Sequence, residues 1–115
     1  MTLIVKYKFS NGIMNVKKTT GEILRESREK KGLLLRQVAA LLEMDTAILS
    51  KVERGERKAT KEQIIKLADI LDLNKDELLI QYLSEKIAYE LLDEDVANKA
   101  LKVAEKKVAY LKSKK

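Results

Sequence analysis

Apolar residues recur at spacings of three and four along most of the chain, the period of one face of a helix. Val38, Ala39 and Leu42 share such a face, as do Ile64, Leu67, Ala68 and Leu71, and then Leu78, Leu79, Leu83 and Ile87. The residues between these stripes divide them into separate helices. Thr19 with Glu22 makes a capping box that opens a first helix, which runs to about Lys31 and stops at Gly32. A second helix covers about residues 35–42, and after a very short link Asp45 serves as N-cap for a third, about Thr46 to Arg54, closed by Gly55. Thr60 with Gln63 opens a fourth helix and Asn74 with Glu77 a fifth.

A sixth helix follows the acidic run Asp93, Glu94, Asp95, where negative charge meets the positive end of the helix dipole. Val96, Ala100, Val103, Ala104, Val108 and Leu111 form its apolar stripe, and lysines fill the rest. Such a stripe must be buried on its own domain or on a second chain, and dimerisation is the expectation. With fewer than three heptads, the segment is short for a coiled coil.

Before Thr19 the period changes. Residues 3–18 alternate apolar and polar positions around Asn11-Gly12, the dipeptide best suited to a type I′ turn, which would set Val5, Tyr7 and Phe9 across from Val16 and Met14. A lone hairpin is marginal in water, so residues 1–18 read either as a hairpin needing a partner surface or as a basic tail.

Composition supports an all-α reading. The 115 residues contain no proline, four glycines and 37% charged side chains, enough for one domain with a modest core plus appendages. The expected organisation is a basic N-terminal segment over 1–18, a helical domain over 19–83 and a helical extension over 84–115. No apolar run reaches the length of a membrane span, and the start lacks a secretory cleavage site, so a cytoplasmic protein with no membrane role is expected. There is no Cys and no His. That removes disulfides, thiolate zinc sites, the usual general base and the usual metal ligand, so no catalytic residue, metal, cofactor or small-molecule substrate is expected. The net charge of +6 resides at the two ends, because residues 21–80 hold twelve basic and twelve acidic groups. A phosphate-binding surface in the middle would therefore depend on local clustering.

Two short helices joined by a tight link, the second capped by Asp45 and ended by Gly55, spell a helix-turn-helix. In "GEILRESREKKGLLLRQVAALLEM", "DTAILSKVERGERKAT" and "KEQIIKLADILDLNKDELL", residues 21–83 closely resemble the phage-repressor-like (Xre, Cro/repressor type) DNA-binding domain. The resemblance implies a five-helix bundle whose third helix enters the major groove of double-stranded DNA. It implies that Arg28 and Glu53 form a partly buried ion pair that fixes the reading helix. The base-reading positions it implies are Thr46, Ala47, Ser50 and Lys51, with Ile48 close by. Thr46 and Ser50 can pair with either base type, Lys51 can reach guanine O6 and N7, and Ala47 and Ile48 offer methyl groups to the thymine methyl. Without a bidentate Arg, Asn or Gln among them, specificity leans on dimer spacing and DNA shape.

Arg54, Arg57, Lys58 and Lys61 follow the end of the third helix and Arg36 lies at the start of the second, two places where this fold meets phosphates. The bland reading of that run is a solvated surface, and Glu56 and Glu62 interrupt it. One departure stands out. Leu34 and Leu35 occupy the places of a capping Ser or Thr and a phosphate-bonding Gln, leaving either an inward-packed leucine or an apolar patch for a protein.

The function expected from the resemblance is a dimeric, sequence-specific transcription regulator, such as a repressor or a restriction-modification controller. The alternative is an antitoxin or interaction subunit that binds a protein partner through the sixth helix, the N-terminal segment or the leucines.

Overall fold

The computed structural model describes residues 15–115; the hairpin-or-tail reading of residues 1–18 rests mostly on residues 1–14, which lie outside the described residues. These form six helices and no strand: α1 Thr20–Lys30, α2 Leu35–Leu41, α3 Thr46–Glu53, α4 Lys61–Ile70, α5 Lys75–Leu91 and α6 Ala97–Ser113. By internal contacts the chain divides into residues 1–85 and 86–115. The division falls inside α5, which runs unbroken through position 83, where the sequence suggests an end to the domain.

In the first unit, four of the five helix N-termini are set by a capping side chain, α2 with Leu34 at its cap being the exception. Thr19 and Thr60 each accept from the backbone N–H three residues on, while Glu22 and Gln63 reach back to the cap N–H. Asp45 accepts from the Ala47 N–H, and Asn74 from that of Glu77. The C-termini of α1 to α4 share one geometry. Each ends in a left-handed residue, Gly32, Glu43, Gly55 and Asp72. The N–H after it returns to a carbonyl five residues earlier, as in Met44 to Ala39 at 2.9 Å and Glu56 to Lys51 at 2.8 Å. This satisfies carbonyls that the helix leaves open. Glycine takes that conformation freely, whereas at Glu43 and Asp72 a side chain is forced into it at a cost of about 1–2 kcal/mol.

The core gathers the apolar stripes. Leu24, Val38, Leu49, Ile64, Leu67 and Leu78 are fully buried, one or two from each of α1 to α5, and the whole buried cluster falls between Ile23 and Tyr82. Contacts made across long sequence distances fix how the helices meet. A Cβ on Gly21 would stand 2.5 Å from the carbonyl oxygens of Val52 and Glu53, so the first turn of α1 lies directly on the backbone of the last turn of α3. The Thr20 N–H and hydroxyl both donate to Glu85 Oε1, at 2.6 and 2.7 Å, so a carboxylate from α5 covers the open amide end of α1. Among the described residues, no buried side-chain polar atom lacks a hydrogen-bond partner.

The second unit has a different character. No residue of α6 is buried. The helix folds back so that Ala100, Leu101, Ala104 and Val108 line an open groove of about 530 Å³ with Ile87 and Leu91 at the end of α5. Val96 is the N-cap rather than an internal position, because its backbone leaves the helical range. It offers no capping oxygen. Val103 and Leu111 stay 51% and 61% exposed, and neither is among the groove-lining residues.

Candidate nucleic-acid interface

The third helix is braced from two sides. α3 packs on both α1 and α2, buries Leu49, Val52 and Glu53, and turns its other side outward. Thr46, Ala47 and Lys51 are exposed, and Ile48 and Ser50 are half-buried at the edge of that outward face. The spacing explains the division. Leu49, Val52 and Glu53 follow the inward period, and Thr46, Ala47, Ser50 and Lys51 fall on the turns between them.

Glu53 holds this orientation. Its carboxylate accepts from Arg28 Nε at 2.8 Å and Nη2 at 3.0 Å, and the third guanidinium nitrogen donates to the Leu33 carbonyl at 2.9 Å. The side chains are only 12% and 6% exposed, so neither charge has ready access to water. Hydrogen bonding to Glu53 raises the Arg28 pKa above the ordinary arginine value against the opposing effect of burial. Removing either partner would leave the other buried and uncompensated, a loss of about 3–5 kcal/mol. One guanidinium thereby joins α1, the start of α2 and the end of α3.

The cations expected at phosphates fall into two groups. Among the described residues, Arg36, Arg57, Lys58 and Lys61 are exposed and form no ion pair, and neither does Lys51 of the expected base-reading set. Arg54 is engaged. Its Nε and Nη2 donate to the two oxygens of Glu56 at 3.0 and 3.2 Å, and its Nη1 donates to Ser50 Oγ at 2.7 Å. The pairing raises the Arg54 pKa and holds the Glu56 carboxyl below the usual carboxylate range. Both side chains are about half exposed, so solvent screens the pair and it can open readily.

The loop that carries Arg57 and Lys58 is tethered from behind. Ala59 is buried, and its carbonyl accepts from the Tyr82 hydroxyl of α5 at 2.6 Å. Sequence reasoning missed this tether, the Glu85 cap and the close approach at Gly21. All three join residues far apart in the chain, and no local pattern announces them. The two leucines at the start of α2 separate. Leu35 packs against the core, and Leu34 remains 47% exposed with its N–H donating to Gln37 Oε1 at 2.7 Å.

A compact helical bundle that turns out a short polar helix, with cations on the loop behind it, defines a helix-turn-helix DNA-binding regulator. Residues 24–78 match the helix-turn-helix family model, and the chain belongs to that family as a phage-repressor-like (Xre) member. The family is one of DNA-binding regulators rather than enzymes. The crystal structure of the restriction-modification controller protein C.AhdI from Aeromonas hydrophila is similar over 51% of this chain and 89% of its own, at 41% identity and a TM-score of 0.48. A chain of the SinR protein/SinI protein complex is similar over 83% of this chain and 99% of its own, at 22% identity and a TM-score of 0.48. No curated protein matches the chain. No helix among the described residues is long and apolar enough to cross a membrane.

Proposed function

We propose that the chain is a sequence-specific regulator that binds double-stranded DNA as a homodimer, with α3 in the major groove of each half-site. The observation that carries this reading is the two-sided character of α3, clamped inward by Arg28–Glu53 and open outward at Thr46, Ala47 and Lys51. Lys51 reads guanine acceptors, Thr46 and Ser50 supply hydroxyls, and Ala47 with Ile48 meets thymine methyl groups. Ser50 accepts from Arg54 with one lone pair, which leaves its O–H free to donate to a base.

Arg36, Arg57, Lys58 and Lys61 grip phosphates on either side, and Arg54 joins them once released from Glu56. Tyr82 anchors the loop that carries Arg57 and Lys58. Pairing of chains falls to the second unit, through Val96, Ala100, Val103, Ala104, Val108 and Leu111, and a two-fold dimer meets inverted half-sites about one helical turn of DNA apart.

A salt titration tests the reading. Four unpaired phosphate cations per chain give eight in a dimer, and a log–log slope of affinity against salt near −7, roughly −0.9 per contact. A slope near zero would instead favour the second reading, in which the open groove of the second unit takes a protein partner and DNA binding is lost.

A further inference from the structure

Residues 86–115 cannot complete a fold by themselves. They contain no buried residue, and Ile87, Tyr89, Leu92, Val96, Val103 and Leu111 are each 47% exposed or more. The apolar residues of α6 span about half of the helix circumference at about 100° per residue. The groove shared with α5 takes up about half of that band, and Val96, Val103 and Tyr110, which follow one another at seven-residue spacing, lie outside the groove lining.

Charge is sorted along the same unit. Glu90, Asp93, Glu94 and Asp95 cluster around the turn, with no basic residue between positions 87 and 98. From Lys99 onward seven lysines face a single acid, Glu105, and Lys106, Lys107, Lys112, Lys114 and Lys115 crowd the far end. Seventeen residues of helix extend roughly 25 Å. The screening length is about 10 Å at 0.1 M salt. The two ends of one chain are therefore too far apart to neutralise each other, and both stand exposed, open to an opposite charge on another molecule.

We propose that the α5–α6 turn and α6 pair with the same segment of a second copy of this chain in antiparallel register. Each acidic turn then lies beside the other copy's lysine-rich end, and the two apolar bands close face to face. Parallel pairing would set acid on acid at one end and lysine on lysine at the other, repulsion that a short apolar contact must then overcome. Antiparallel pairing is two-fold symmetric and closes on itself, so it yields a dimer and not a filament. This rests on the dimer reading above and adds the orientation of the partner.

The chain has no cysteine, so single engineered thiols report pairing cleanly. Glu94 and Lys112 are both exposed and suit the purpose. Full-length E94C and K112C are prepared separately, mixed and oxidised, with sedimentation equilibrium on the unmodified chain alongside. The expected result is a dimer by mass and a disulfide joining E94C to K112C in preference to either self-pair, weakening as salt rises. A dimer whose E94C chains link chiefly to each other would overturn the antiparallel arrangement and leave the dimer standing. A monomer by mass at 100-micromolar concentration would overturn both and assign the apolar band to a different protein.

Discussion

The two units use similar apolar residues to opposite ends. In residues 15–85 the stripes of five helices meet, and the leucines at 24, 49, 67 and 78 are lost to water. In residues 86–115 the stripe of a single long helix meets only the last turns of α5, and Leu101, Val103 and Val108 stay 43–51% exposed. A helix can satisfy its own backbone, but it cannot bury its own apolar face. Hence the first unit has the makings of independent stability, and the second depends on what covers it. The same division runs through the charges. In the first unit the critical pair is buried and fixes a helix, and in the second the charges are exposed and sorted end from end.

Matched truncations sharpen this contrast most strongly. Leu49→Ala should cost about 2–5 kcal/mol in urea unfolding whatever the protein concentration. Leu101→Ala should stay within about 0.5 kcal/mol when the protein is dilute enough to be monomeric. Equal losses would mean that the second unit has a core of its own. Next comes Gly21→Ala, which forces a methyl group against two α3 carbonyls and should destabilise by about 3 kcal/mol. A neutral effect there would show that α1 can move away from α3 freely, and the rigid placement of α3 would be lost with it.

Smaller in size and opposite in sign, Glu43→Gly relieves a left-handed side chain in the turn between α2 and α3. It should stabilise by about 1 kcal/mol, seen as a raised midpoint. Glu56→Gln should leave stability nearly unchanged. By releasing Arg54 on each chain of a dimer, it should tighten binding to random DNA a few-fold and steepen the salt slope by up to about 2. An unchanged slope would remove Arg54 from the phosphate contacts.

Much of the bundle was legible because its signals are local. Thr19–Glu22 and Thr60–Gln63 are capping boxes within four residues, and the stripes from Val38 to Leu78 repeat inside one helix each. What stayed hidden depends on distance in sequence. Gly21 is conspicuous only once the backbone of Val52 and Glu53 is known to lie over it, and Thr20 meets Glu85 across 65 positions. The left-handed ends at Glu43 and Asp72 escaped notice because the residue usually found there is glycine. At the candidate interface, sequence and resemblance proposed the cations but could not tell that Arg54 is held by Glu56 and Ser50 while Arg57 and Lys58 are not. The long α5 hid its division because a helix continues through it without a break in period.

The central claim is that the outward face of α3 reads base pairs while the cations around it hold the backbone. Affinities of the parent protein and Lys51→Ala, measured side by side on a duplex selected by the parent from a randomised pool and on a random duplex of equal length, test it most directly. Lys51→Ala should lose about 1–3 kcal/mol more on the selected duplex than on the random one. Equal losses on both, or a parent protein that selects no sequence, would contradict it.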